Sequence, residues 1–315
     1  MNSMISVVIP CYNRSTLLKR AIDSALAQTA RASEVIVVDD GSTDNTREIC
    51  AGYGNQIEYV WQKNGGPSIA RNTGVIHARN RWVAFLDSDD YWTTFHLAQM
   101  ASALEETGGE ARFYFSDMQF GENNHGATLW KRINFVPPQS VHLMRDGTNW
   151  AFLKRQPFML QCSVFSRGAW LATGGLDSRF RLMHDPELFF RLSIGGKVCA
   201  VSGVACIQTD DDASSVRLTT AMHPKGAPYW HEAIALRKRV LSQFPNLPRE
   251  YRTGLEFGLA SSRWRLIRVH WSSKHLAKMA WHLAVLASAH PGFLVSLLLY
   301  RTSQPNRPPL SVEYD

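Results

Sequence analysis

Residues 82–90 read Trp-Val-Ala-Phe-Leu-Asp-Ser-Asp-Asp. Five apolar residues run straight into four polar ones, three of them acidic. Such a run is the pattern of a buried strand ending at a polar loop. The pattern occurs three more times upstream. Ile5–Ile9 is closed by Pro10 and followed by Cys11-Tyr12-Asn13-Arg14. Glu34 to Val38 ends at Asp39-Asp40-Gly41, and Ile57 to Trp61 leads to Asn64-Gly65-Gly66. Between the first two runs, Leu17, Leu18, Ala21, Ile22, Ala25 and Leu26 recur at helical spacing. Ser42 to Cys50 and Ser68 to Ala78 read as the next helices. Strands alternating with helices at this spacing predict an α/β fold with a mainly parallel sheet and crossover helices. Sheets of that kind bind ligands at the carboxyl ends of their strands. Four polar clusters at four successive strand ends predict one shared crevice.

The contents of that crevice are narrowed by what is missing. The turn after the first strand is Pro-Cys-Tyr-Asn, so no GxGxxG dinucleotide loop follows it. No GxxxxGK[ST] loop occurs either, and phosphates are not held by a glycine nest. Oxygen ligands for a divalent cation are the alternative. Asp87-x-Asp89 offers two carboxylates from one turn, which suits Mg²⁺ or Mn²⁺ with positions left open for phosphate oxygens. The competing reading is a helix cap before Thr93 to Leu104. Position after a strand, beside three other polar strand ends, favours the metal reading.

Four blocks now stand together: Ser6-Val-Val-Ile-Pro-Cys-Tyr-Asn-Arg14, Val37-Val-Asp-Asp-Gly-Ser-Thr-Asp44, Gly65-Gly-Pro-Ser-Ile-Ala-Arg-Asn-Thr-Gly74 and Phe85-Leu-Asp-Ser-Asp-Asp90. In order and spacing they resemble a family 2 glycosyltransferase of the GT-A fold. The close resemblance covers about the first ninety residues and a looser one reaches roughly Arg217. It implies a Rossmann-like mixed, mainly parallel sheet flanked by helices. It also implies inverting transfer from a nucleotide-diphosphate sugar to a saccharide or lipid-linked saccharide acceptor, in bacterial-type surface polysaccharide or glycoconjugate assembly. By the same resemblance Pro10, Tyr12 and Asn13 line the nucleotide pocket and Asp39 or Asp40 accepts a hydrogen bond from the base. Strand register decides which of the two aspartates points inward. Arg71 serves the base or the diphosphate, Asp87 faces the ribose side and Asp89 is the metal ligand. The stretch Met183-His-Asp-Pro-Glu-Leu-Phe-Phe-Arg-Leu192 resembles the family's Glu-Asp motif, with His184 in place of the usual Glu. Asp185 keeps the Asp, the implied general base. Asp185-Pro186-Glu187 also reads as cap, first-turn proline and first-turn acid, and dipole stabilisation accounts for Glu187. A further histidine ligand is common after such domains. Asp210-Asp211-Asp212 and His223 lie in that region but match poorly, and a solvated acidic turn accounts for the aspartates.

Charge divides the 315 residues. Residues 1–220 carry 21 basic and 22 acidic side chains, a net of −1, whereas 221–301 carry 12 and 3, a net of +9. Four of the ten tryptophans (Trp230, Trp264, Trp271, Trp281) lie in the basic part. The expected organisation is a catalytic domain over 1–220, with a nucleotide-sugar half (1–100) and an acceptor half (101–220), and a basic, aromatic, helical region over 221–315. Acceptor recognition is expected in Phe113 to Leu160, a stretch with little periodicity. The apolar segment Leu276 to Arg301 is broken by Lys278, His282, His290 and Pro291-Gly292, so a spanning helix is not expected. The basic region reads either as a solvated helical subdomain or as a surface for anionic lipid, with the second favoured. No nucleic-acid module accompanies the charge. Five cysteines without metal spacing, and no basic segment ahead of Ile5, predict a cytoplasmic protein, peripheral on the cytoplasmic face of the membrane if the basic region meets lipid. Two rival readings are a sugar-nucleotide nucleotidyltransferase, which lacks its Gly-rich basic loop here, and a non-catalytic nucleotide-sugar-binding protein, which has no need of both Asp89 and Asp185.

Overall fold

The computed structural model describes residues 4–121, 126–153, 155–209 and 226–293. Asp210 to Asp212, His223 and the apolar stretch 294–300 lie outside them. Strand β1 (Ile5–Cys11) is buried at every position. β2 (Glu34–Asp39) pairs with it in parallel, β3 (Glu58–Trp61) adds in parallel to β2, and β4 (Trp82–Phe85) pairs in parallel along the other edge of β1. Helices α1 (Ser15–Leu26), α2 (Thr46–Ala51) and α3 (Pro67–His77) make the crossovers. The strand order 3-2-1-4 places a switch point between β1 and β4, where such sheets open their crevice. The expected parallel sheet is therefore present, with several element boundaries shifted. β1 runs through Pro10 to Cys11 because the alternation aims the proline's missing N–H toward β4, whose ladder has already stopped at Val8 and Phe85. α2 starts at Thr46 rather than Ser42, since Asp44 takes the Thr46 N–H at 3.1 Å.

The second half makes the sheet mixed. β5 (Tyr91–Trp92) and α4 (His96–Glu106) follow β4. Then come β6 (Phe113–Phe120), α5 (Leu129–Ile133), β7 (Val141–Met144), α6 (Thr148–Ala151), β8 (Ser163–Ser166), α7 (Arg167–Thr173), α8 (His184–Ser193) and β9 (Val198–Gln208). The full order is β3-β2-β1-β4-β8-β6-β9-β5, with β7 paired to the start of β9. β8 is antiparallel to both β4 and β6. The stretch of little periodicity, Phe113 to Leu160, thus contains a central strand. β6 was hard to read because Phe113-Tyr-Phe-Ser-Asp-Met118 is buried on both faces and does not alternate. Its rings stack into the sheet core with Phe158, Phe165 and Phe189.

The chain divides into two units, residues 1–216 and 217–315. The second is helical: α9 (Ala227–Gln243), α10 (Arg249–Ser272) and α11 (Leu276–Ala289). α10 carries two apolar stripes at a seven-residue spacing. Leu259 and Leu266 cluster with Ile234 and Trp230 of α9, and Ala260 and Ile267 with Leu286 of α11. No helix among the described residues is long and apolar enough to cross a membrane.

Helix α3 lies unusually close to β1. A Cβ at Gly74 would sit 2.2 Å from Val8 Cγ1 and 2.9 Å from its Cγ2. Gly74→Ala is expected to cost about 1–3 kcal/mol of unfolding free energy, the range for overpacking a filled core. Gly254→Ala, in α10 with no atom within 4 Å of the new methyl, is expected to gain about 0.5–1 kcal/mol. Urea unfolding followed by circular dichroism reads both signs.

Candidate active site

The loops after β1, β2 and β3 are tied to one another by the acidic and amide side chains of the motif blocks. Asp39 is buried; its Oδ1 accepts the Ser42 N–H at 2.8 Å and its Oδ2 accepts the Tyr59 hydroxyl at 2.6 Å. Asp40 is buried as well. It accepts from Gln62 Nε2 and from the N–H groups of Gly65 and Gly66, all within 2.8 Å. Buried carboxylates need such donors, and here the donors fix the loop leading into α3. Both aspartates therefore point inward, one toward β3 and one toward the 62–66 loop. Asn13, at φ +50°, donates its N–H to the Ser42 hydroxyl and accepts the Thr43 N–H at 2.8 Å. Tyr12 beside it is about half exposed, and Pro10 is buried in β1. Cys11 is buried with its thiol pushed well up by burial, then by Asp39, so it is a packing residue and no nucleophile.

Arg71 stands one turn before Gly74, and the tight α3–β1 contact brings its guanidinium to the end of β4. It is buried and paired with Asp87. Its Nε and Nη1 have no hydrogen-bond partner. Burial opposes its charge, but Asp87 first, then Asp185 and Asp89, hold its pKa above the ordinary value. The turn 87–90 is closed by the Asp90 N–H on the Asp87 carbonyl at 3.1 Å. Thr209, just after β9, bonds to the Asp89 carbonyl and donates its N–H to Asp90. Carboxylate oxygens of Asp87, Asp89 and Asp90 lie within 4.8 Å of one another. Three hard oxygen donors on one turn, with Asp87 and Asp89 only half-buried, fit a Mg²⁺ or Mn²⁺ ion that keeps open positions. The helix-cap alternative for this turn does not hold. α4 begins at His96, and the two residues of β5 stand between.

Asp185 reaches the same place from the far half of the sheet. It lies in the first turn of α8, whose cap residue is Met183, so its expected capping role is replaced by placement inside the helix. His184 Nε2 sits 2.9 Å from Asp185 Oδ1, yet that oxygen has no partner in hydrogen-bond geometry. Burial raises the Asp185 pKa, but His184 and then Arg71 outweigh it and hold the carboxyl below its usual range. Reciprocally, burial lowers His184, and Asp185 more than reverses this. The result is a half-buried, ionised carboxylate held by His184 and close to Arg71.

The pattern of glycosyl transferase family 2 matches residues 6–169, a little over half of the chain. The chain belongs to this family. An uncharacterized glycosyltransferase of Rickettsia prowazekii (strain Madrid E) is 42% identical over 189 residues, 60% of this chain and 58% of the relative. The chain thus spans little more than half of that relative's length. The chondroitin synthase of Pasteurella multocida (strain Pm70) is 30% identical over 202 residues, 62% of this chain and 19% of the synthase. Among solved structures, residues 1–349 of S. aureus TarS in complex with UDP-GlcNAc superpose with a TM-score of 0.64 at 19% identity, covering 92% of this chain and 81% of that one. A mannosyltransferase of Pyrobaculum calidifontis, in complex with GDP-Man and Mn²⁺, gives 0.52 at 16% identity, covering 97% and 82%. These structural likenesses establish the GT-A fold.

The roles of three residues of this family 2 chain were not read from its sequence. Asn72, next to Arg71, clamps the segment that leads to α8. Its Oδ1 accepts from Trp170 Nε1 and the Leu176 N–H, and its Nδ2 donates to the Leu176 carbonyl. Gly175 must be glycine there: φ is +65°, and a Cβ would lie 2.4 Å from Asn72 Oδ1. Glu187, expected as a first-turn acid on the helix dipole, does lie in the first turn and is also almost fully buried. It takes two bonds from Arg191, at 2.7 and 2.6 Å, while Arg191 also donates to the carbonyls of Thr173 and Gly175. The i,i+4 spacing was the available signal. Removing one partner of such a pair leaves a buried, unpaired charge. Glu187→Ala is expected to cost about 3–5 kcal/mol. Lys19→Ala, which breaks the exposed pair with Asp23, is expected to cost about 1 kcal/mol or less. Denaturant unfolding of the two variants checks the contrast.

Proposed function

We propose that this family 2 glycosyltransferase moves a sugar from a nucleotide-diphosphate donor to an acceptor hydroxyl with inversion, at the meeting point of Arg71, Asp87, Asp89 and Asp185. The observation that carries the reading is the carboxylate of Asp185, held ionised by His184 and standing near a guanidinium already paired to the Asp87–Asp90 turn. Asp185 takes the acceptor proton as the hydroxyl oxygen attacks the anomeric carbon. The bond from that carbon to the diphosphate breaks on the opposite face. The two open nitrogens of Arg71 donate to the diphosphate as its charge develops. Asp89, with Asp87 and Asp90 near it, would hold the divalent cation, which supplies charge stabilisation to the leaving group. The nucleotide lies over Pro10, Tyr12 and Asn13. Asp39 and Asp40 shape that pocket, and whichever keeps a free lone pair toward the base accepts its N–H. UDP and UDP-GlcNAc complexes of TarS support a nucleotide-sugar donor. The chondroitin synthase relative supports a saccharide acceptor and a role in polysaccharide synthesis, and we extend this to a lipid-linked saccharide and to surface polysaccharide assembly. We assign the acceptor side to the second half of residues 1–220 and the added basic role to residues 221–315.

Asp89→Asn is expected to reduce transfer by orders of magnitude with the fold intact, and EDTA to abolish wild-type activity. Full activity in EDTA removes the cation from the mechanism. Asp185→Asn is expected to keep donor affinity and lose ~10²-fold or more in turnover. Lost affinity with retained turnover would reassign Asp185 to the donor pocket. Screening begins with UDP-GlcNAc and Mn²⁺, read as a rise in melting temperature.

The His184 contact gives a pH prediction. A base works only when ionised, so activity falls as pH drops through the Asp185 pKa. His184→Gln removes the strongest influence that lowers this pKa and leaves burial opposed by Arg71 alone. The acid limb of the rate profile is expected to move to higher pH. An unmoved limb means Asp185 does not set it.

The second proposal concerns location: the protein is cytoplasmic and peripheral on an anionic membrane face. All five cysteines are free and buried, in keeping with a reducing compartment. The net +9 of residues 221–301 is accompanied by exposed Phe257, Trp271, Leu276 and Trp281. Basic residues contribute on the order of 1 kcal/mol each near such a surface, screened by salt, whereas inserted rings are not screened. Binding to anionic vesicles is expected to weaken with salt and persist. Equal partitioning onto neutral and anionic vesicles defines a merely solvated patch.

A further inference from the structure

Three histidines of the helical unit converge although the sequence keeps them apart. His231 comes from α9, His270 from α10 and His282 from α11. Ring centroids are 5.4 Å apart for His270 and His282, 5.6 Å for His231 and His282, and 6.4 Å for His231 and His270. One nitrogen from each ring lies within 4.8 Å of the other two.

The cluster is poorly explained as packing. His270 and His282 are 4% and 3% exposed. Both ring nitrogens of His270, and Nδ1 of His282, have no hydrogen-bond partner. A buried, unsatisfied polar group is destabilising, and an apolar side chain at the same position would avoid that cost. α10 and α11 each bring such a group to one place, and α9 brings His231 beside them. His231 is exposed and leaves a path from solvent.

We propose that His231, His270 and His282 bind one borderline transition-metal ion of the Zn²⁺ class. Imidazole nitrogens suit Zn²⁺, Co²⁺, Ni²⁺ and Cu²⁺, and a site with no carboxylate does not suit Mg²⁺. Metal–nitrogen bonds of about 2.0–2.1 Å require ring nitrogens roughly 3.4 Å apart in a tetrahedron. The observed spacing reaches that by side-chain rotation, which also ends the stacking of His270 on His282. Burial first, then Lys278 and His231, lower the His270 pKa; burial first, then His231, His270 and Arg263, lower that of His282 to about 4. This site is independent of the transfer reaction and of the acidic turn proposed to serve it.

The test uses the full chain, stripped of metal by chelator and dialysed into excess Mg²⁺. Co²⁺ titration is expected to give the visible bands of a nitrogen-ligated, tetrahedral ion at one equivalent, removed by Zn²⁺. His231→Ala changes an exposed residue. It is expected to keep the far-ultraviolet dichroism and weaken Zn²⁺ binding about tenfold or more, the least that losing even an outer-shell partner costs. Asp89→Asn is expected to leave the bands unchanged. Absence of the bands in excess Mg²⁺ overturns the proposal. So does a signal that survives His231→Ala at full affinity, or one that disappears with Asp89→Asn.

Discussion

The buried guanidinium of Arg71 is the charge around which the candidate site is arranged. Asp87, Asp89 and Asp185 all act on it. Without a central cation, gathered carboxylates push one another toward protonation, and burial adds to the effect. With it, and with His184 beside it, the half-buried Asp185 stays ionised, and the Asp87–Asp90 turn can keep its negative charge. The backbone serves that placement. Val8 leaves no room for a methyl at Gly74, so α3 settles against β1 and carries Arg71 to the end of β4.

The second constraint is the web of carboxylates below the loops. Asp39, Asp40 and Asp44 bind N–H groups of the following loops and of α1 and α2. Each N–H bonded to a carboxylate is a strong contact in a buried place. The loops at three strand ends are thereby held without regular secondary structure. That is the condition under which a ligand meets a surface already formed.

Much of this was legible in the chain itself. Polar clusters after apolar runs gave β1 to β4, because a parallel strand buried on both faces reads as a continuous apolar run. The roles of individual side chains were less legible. Asp39 and Asp40 look alike in sequence, and only the three-dimensional path of residues 59–66 shows what each one holds. Glu187 resembles any first-turn acid until Arg191 and the carbonyls of Thr173 and Gly175 are seen around it. β6 was hidden by its aromatic, non-alternating sequence. The histidines of α9, α10 and α11 are 39 and 12 positions apart. No local spacing could have joined them; the packing of three helices did.

The Asn72 clamp has a consequence for how this scaffold tolerates change. Two of its three partner groups are the N–H and carbonyl of Leu176, which every residue except proline supplies. The hydrogen bonds themselves leave position 176 open, but its side chain is 3% exposed in the hydrophobic core, so the anchor is fixed twice. Sequence change between that point and α8 is therefore confined to exposed positions such as Ser178 and Arg179, and Asp185 returns to the same place while they vary.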